Sequence, residues 1–348
     1  MSIKTIQVAK ADVGPWSTLV GSSGEISIEG AELNNTIFGS EFQSSISGVR
    51  DWSFSGNSWF REKAGFEARI KRASAPVAVT GEAMSLHVGS DLPANTYVVD
   101  TASRNLWDID SSIVIYEDGV AVPEDEIVSI DPMFGRVTFT TARTDAITAD
   151  FSYMTTAAFG CANSVSLTLN SESTGNSCFE TVQAENGFNV YEYGLKTVSA
   201  ELSGFYRETN DFFAILKSGE KVIIEFDFEG TGDTSARGVF RLTSTSQSGD
   251  VGSQEEYSAS FGLYVPEGLT PFSFNFGVNS SASDSVKLVI GSWINREYVY
   301  LRYLPKGVTS KGYVGKTVVT DCSISVSVDS IGEVSVELTG TGELEVIN

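Results

Sequence analysis

The chain has 348 residues, with a hydrophobic share of 41% and a charged share of 20%, values that suit a folded protein and argue against wholesale disorder. Its 45 Asp and Glu against 23 Lys and Arg give a formal net charge of −22, which excludes gripping a nucleic-acid backbone as a main activity, since that needs clustered cations. Gly at 33 against Pro at 8, amid abundant Ser, Thr and Val, is the balance of strands and turns, so the predicted class is mainly β.

In chain order, a first β-rich segment is predicted from residue 1 to residue 80. Ile26 and Ile28 alternate with polar neighbours, as do Trp52 and Phe54, the period of a strand with one buried face. Trp59 to Ile70 suits either a short helix or a further strand. From 81 to 155 the pattern is of short strands. Ile113 to Tyr116 and Ala121 to Pro123 flank a turn at Asp118-Gly119 and predict a hairpin, and Gly135 to Thr140 and Ala149 to Tyr153 add two strands.

The segment 156–266 holds a predicted helix with the apolar residues Phe212, Phe213, Ile215 and Leu216. Thr209 or Asn210 can cap it, Asp211 suits its positive end, and Gly219 stops it. Val222 to Glu229 then alternates, with Ile224, Phe226 and Phe228 on one side and Glu225, Asp227 and Glu229 on the other. From 267 the chain passes Pro271 to Phe274, a Ser-rich stretch at Asn279 to Ser283, and Tyr298 to Tyr303, which parallels Val222 to Phe228.

One pattern occurs twice. Glu25 to Ile28, then Asn35 to Phe38, then Gly48 to Gly56 is echoed by Ser166 to Leu169, Asn176 to Phe179 and Gly194 to Ala200. Val239 to Ser244 and Glu256 to Gly262 are echoed by Ser323 to Val328 and Glu333 to Gly340. The second copy therefore nests inside the first. The expected domains are 1–80 plus 267–348 as one discontinuous module, 156–266 as its copy, and 81–155 as an inserted β-hairpin subdomain. Since the insert has no counterpart, deleting Ser90 to Thr148 is expected to leave both modules folded. Duplication multiplies contact surfaces more readily than it makes an active site.

No catalytic or metal-binding constellation is legible, and no cofactor is expected. His87 is the only histidine, with no nucleophile elbow to serve. Cys161, Cys178 and Cys322 form no CxxC and suit small apolar slots in a reducing compartment. Pro123 to Glu126 and Asp108 to Asp110 lack calcium-loop spacing. Neither a signal peptide nor a run of ~18 apolar residues is present, so no membrane partner is expected.

At this point the chain resembles the tail tube proteins (major tail proteins) of long, non-contractile tailed bacteriophages. The resemblance rests on Ile37-Phe38-Gly39-Ser40, Gly48 to Gly56, Phe212 to Leu216, and Val334 to Leu344, in that order, together with Gly135 to Tyr153. It implies two β-sandwich or barrel domains, each with about one flanking helix. It also implies self-assembly into stacked rings around a DNA channel, in a virion tail built in the host bacterial cytoplasm. Partners would be further copies, other tail proteins such as the tape measure, terminator and distal tail protein, and passing DNA held without tight binding. Because single tube domains make six-fold rings, a doubled subunit implies three chains per ring with pseudo-six-fold symmetry. On this reading Glu225, Asp227 and Glu229 are the candidate channel-lining residues. Two alternatives stand beside it. One is another tail-assembly protein of related fold. The other is a β-sandwich adhesin or carbohydrate-binding module using Trp16, Trp52, Trp59, Trp107 or Trp293 as a platform.

Overall fold

The computed structural model describes residues 5–21, 23–34, 45–60, 69–89, 92–158, 162–205, 212–229, 233–250, 254–277, 279–307, 311–328 and 332–347. The expected Ile37 to Ser40 turn, the cap at Thr209 to Asp211 and Cys161 lie outside them.

The chain opens with β1 (Thr5–Ala9), β2 (Ser17–Thr18), β3 (Ser23–Asn34), β4 (Ser45–Trp59) and β5 (Arg69–Ala73). Seven strands follow: β6 (Val77–Leu86), β7 (Thr96–Val99), β8 (Val114–Glu117), β9 (Val120–Ala121), β10 (Ile127–Asp131), β11 (Arg136–Phe139) and β12 (Ile147–Tyr153). Then come β13 (Thr156–Ala158), β14 (Ala162–Gly175), helix α1 (Phe179–Ala184), β15 (Tyr191–Phe205) and α2 (Phe212–Ser218). β16 (Lys221–Asp227), β17 (Thr234–Ser248), β18 (Glu256–Leu263) and β19 (Phe272–Phe276) precede α3 (Asp284–Asn295). β20 (Val299–Leu304), β21 (Gly312–Ser327) and β22 (Glu333–Ile347) close the order. The protein is mainly β, and the named ladders are antiparallel.

Two compact units divide the chain. The first takes Met1–Ala64, Ser166–Val198 and Ala282–Asn348, the second Gly65–Val165 and Ser199–Ser281. Residues 166–198, expected in the second module, lie in the first unit because β14 is hydrogen-bonded to β21. In the first unit the order β15-β14-β21-β20-β1-β2 is extended by β22, which joins β21 to β4, and by β3 outside β4. Trp52, Phe54, Val334, Val336 and Leu338 are buried on its inner face.

The second unit contains two sheets. One runs β13-β5-β16-β17-β18-β15, with β19 also on β17, and the other runs β10-β11-β7-β6-β12-β8-β9. The seven-stranded sheet has a core of its own, in which Trp107 stacks on Phe151 at 4.4 Å between ring centroids. Its β8–β9 hairpin turns at Asp118 (φ 47°) and Gly119 (φ 77°), the positive-φ pair that lets the turn twist with its strands. A second cluster joins Leu106, Met133, Phe134 and Met154 to Ile223 of β16 and Val239 of β17. The segment read as a detachable insert therefore shares a core with the strands on which it packs.

Two strand ladders have the same order. One is β3-β4-β22-β21-β20, the other β14-β15-β18-β17-β16. A helix precedes the last-named strand of each, α3 before β20 and α2 before β16. The likeness extends to irregularities. β21 bulges between Val319 and Asp321 where it faces Leu338, and β17 bulges between Leu242 and Ser244 where it faces Phe261. Both helices end on a left-handed residue, Gly219 (φ 65°) and Arg296 (φ 57°). One sequence interval separates Gly219 from Arg296, Leu242 from Val319, and Phe261 from Leu338.

α2 forms where the sequence predicted a helix, but of its expected apolar face only Phe212 and Ile215 are buried, while Phe213 and Leu216 are exposed. α3, the longest helix among the described residues, was not foreseen. Ser283 caps it by accepting from Val286 N at 3.4 Å, Asp284 sits in its first turn, and Val286, Val289, Ile290 and Trp293 are its buried stripe. The doubtful segment 59–70 ends in a strand, since β5 begins at Arg69, and residues 61–68 lie outside the described residues.

Candidate functional site

β16 follows α2 at once and alternates as its sequence requires. Phe226 packs edge-on to Phe240 and Phe228 stacks on Phe274, so one face is an aromatic core. The opposite face carries Glu225, Asp227 and Glu229, but it is not open. Their exposures are 2%, 1% and 6%. Lys71 of β5 donates to Glu225 Oε1 at 2.7 Å and to Asp227 Oδ2 at 3.0 Å. Arg237 of β17 donates to Glu225 Oε2 at 2.9 Å, and Thr156 to the same oxygen at 3.1 Å. Glu229 accepts from Thr234 Oγ1, from Ser281 N at 2.8 Å and from Ser281 Oγ at 3.0 Å.

Arg237 is itself held by Met133 O at 2.9 Å and Asn105 Oδ1 at 2.8 Å, beneath the Phe134 ring. The expectation of an acidic stripe facing a channel or the exterior is thus corrected. A second layer covers that face, with Glu225 and Asp227 as its counter-ions and Glu229 held by hydroxyl and backbone donors. Burial pushes the Glu225 carboxyl up, but the Arg237 charge and the Lys71 hydrogen bond outweigh it and hold the group below its ordinary range. Burial likewise lowers Lys71, and its two carboxylate partners more than restore it, leaving it raised.

The first ladder presents a different acidic surface. Opposite its buried Trp52, Phe54 and Leu338, the register aligns Glu25, Ser55, Glu337 and Asp321 in one cross-strand row. Neighbouring rows are Ser23, Asn57, Ser335 and Ser323, and Ser27, Ser53 and Thr339. Glu25, Ser27, Ser53, Ser55, Ser335 and Glu337 are all exposed. No Lys or Arg stands in these rows. The second ladder repeats the composition with Glu201, Ser260 and Ser244 in one row and Ser203, Ser258 and Ser246 in the next. In these rows short hydroxyls and carboxylates offer a phosphate no cation, whereas the next row of the second ladder, Ser199, Gly262, Arg241 and Lys221, carries two. The sequence contained this pattern as Ser and Glu alternating with apolar residues, but only the register shows that the rows coincide.

The tryptophans are mostly structural. Trp52, Trp107 and Trp293 are 2%, 0% and 3% exposed, which leaves them unavailable as a sugar platform. Trp52 donates to Gly342 O at 3.0 Å, and a Cβ on Gly340 or Gly315 would fall 2.1 or 2.4 Å from its ring. The spaced glycines at the end of the chain are thus the seat of this indole. The backbone N–H of His87 donates to Thr96 O at 2.8 Å. Cys322 is buried, and burial pushes its thiol up, while Cys178 is exposed. Among the described residues no group of three or more His, Cys, Asp or Glu is placed to hold a metal, and no helix is long and apolar enough to cross a membrane.

No protein-family model matches the chain, and no curated protein matches it. Among solved structures it is similar to a chain of the "virion of native gene transfer agent (GTA) particle", over 34% of this chain and 88% of that one. The identity is 15% and the TM-score 0.27, a level at which no function is transferred.

Proposed function

We propose that the chain is a tail tube subunit of a long, non-contractile tailed bacteriophage, polymerising into stacked rings through which DNA is ejected. The observation that carries this reading is the doubled ladder, each copy turning outward a face of hydroxyls and carboxylates. A repeated module suits a ring, since three chains supply six equivalent positions. The tape measure, terminator and distal tail proteins would be its partners in the virion.

In such a ring the row Glu25, Ser55, Glu337 and Asp321 lines the bore, in place of the buried Glu225, Asp227 and Glu229. Along this row a polyanion's phosphates meet no Lys or Arg, and the carboxylates repel it over about a Debye length, ~8–10 Å. Short Ser and Thr side chains keep that wall smooth.

Electron microscopy of the concentrated protein tests the reading. Rings or tubes are expected, and discrete monomers at every concentration would overturn it. Changing Ser53, Ser55 and Ser335 to Lys leaves the buried face untouched, so tubes should still form. Ejection should slow and recover as salt is raised.

A further inference from the structure

β3 and β14 hold the same place in the two ladders, yet their surroundings differ. β21 pairs with β20 only through Tyr313 to Thr317. Beyond that stretch it takes β14 on its free edge, where Ser323 Oγ donates to Thr168 Oγ1 at 3.3 Å. Leu167 and Leu169 of β14 are consequently 0% exposed. β3 has β4 as its one partner among the described strands. Ile28, the counterpart of Leu169, shares a face with Trp52 and is nevertheless 51% exposed. An apolar residue aimed inward but left wet on a 12-residue edge strand marks a missing neighbour.

The other half of that joint is also on the molecule. β17 corresponds to β21 and pairs with β16 only through Ser235 to Arg241. It continues to Ser248 with β18 along one edge, and no described strand pairs with the opposite edge of 242–248. We propose that β3 of one copy adds to residues 242–248 of β17 in the next copy, repeating between chains the joint that β14 makes with β21 within one chain. Ser27 and Ser246 then take the places of Thr168 and Ser323.

Charge selects this pairing over β3 against β3. Glu25, Glu29 and Glu32 would meet their own kind in a symmetric pair, and like charges across a ladder repel. The 242–248 segment offers Leu, Thr, Ser and Gln with no carboxylate. Such a contact joins unlike surfaces, so it propagates from copy to copy and closes when the rotation divides a full turn. It shares with the proposed function only the premise that copies associate.

The test uses the full chain with Cys161 and Cys178 replaced by Ser. Ser27→Cys and Ser246→Cys are prepared separately, mixed and gently oxidised. A covalent dimer is expected in the mixture and in neither variant alone, and the double variant should give a ladder ending at the ring size. Ser27→Cys linking to itself would overturn the proposal, as would rings by microscopy with no link in the mixture. A link without rings or tubes would keep the joint and overturn the tail tube reading. Ile28→Lys alters an exposed side chain, so the fold by circular dichroism should persist. Its link yield should fall at least ~10-fold, corresponding to about 1.4 kcal/mol. An unchanged yield would also overturn the joint.

Discussion

Glu225 accepts hydrogen bonds from Lys71 and Arg237 while almost wholly removed from water. Taking away one member of such a set leaves its partners as uncompensated charge. Glu225→Gln is expected to cost roughly 2–4 kcal/mol, at or below the usual range for a buried pair because Lys71 keeps Asp227. Urea denaturation followed by circular dichroism measures it. The same pairings fix a pH dependence. The folded-state pKa of Glu225 is lowered, so its contribution is present above the ordinary value of 4.5 and is lost as pH falls through the folded value. That of Lys71 is raised, so its contribution is complete below 10.5 and is lost as pH rises through the folded value. The urea midpoint of Glu225→Gln should vary less than that of the natural chain at both margins. Gly340→Ala should destabilise by roughly 1–3 kcal/mol in thermal melts, because the new methyl meets the Trp52 ring. The alternation of β16 was legible in the sequence, whereas its burial on both faces was not, because Lys71 stands 154 residues before Glu225. A polar second layer leaves no periodic mark on the strand that it covers.

At the scale of elements, α3 shows which local signals were available. Ser283 and Asp284 precede apolar residues at helical spacing, a legible start that the run of serines before them obscures. Ser283→Ala should cost about 1 kcal/mol by loss of the cap. Arg296→Gly should be neutral or stabilising by up to about 1 kcal/mol, since its φ of 57° is one that glycine adopts freely and that Gly219 shows at the equivalent place. Thermal melts check both. The hairpin at Asp118-Gly119 was readable because its turn chemistry is local. The insert's attachment was not, because Met133, Phe134 and Leu106 meet Ile223 and Val239 across long sequence separations. Deleting residues 90–148 is therefore expected to abolish soluble protein. It would strip that cluster and leave Arg237 without Asn105 and Met133. Recovery of a folded product with unchanged denaturation midpoint would contradict the shared core.

For the whole molecule, the net charge of −22 sets a general repulsion, and the two ladders decide where it is presented. The repeat was visible in the sequence as sparse echoes. Matched strand order, matched bulges and matched left-handed helix ends give it a physical basis that residue identities could not. Ile28 is left wet where Leu169 is buried, a difference that the proposed neighbouring copy would remove. The measurement that bears most directly on the proposed assembly is a cryo-EM map of the assembled protein, resolved well enough to trace strands. Stacked rings of three chains with pseudo-six-fold symmetry are expected, with Glu25, Ser55 and Glu337 facing the bore and β3 paired to the neighbouring β17. Six chains per ring, or those side chains on the outer wall, would contradict the proposed assembly.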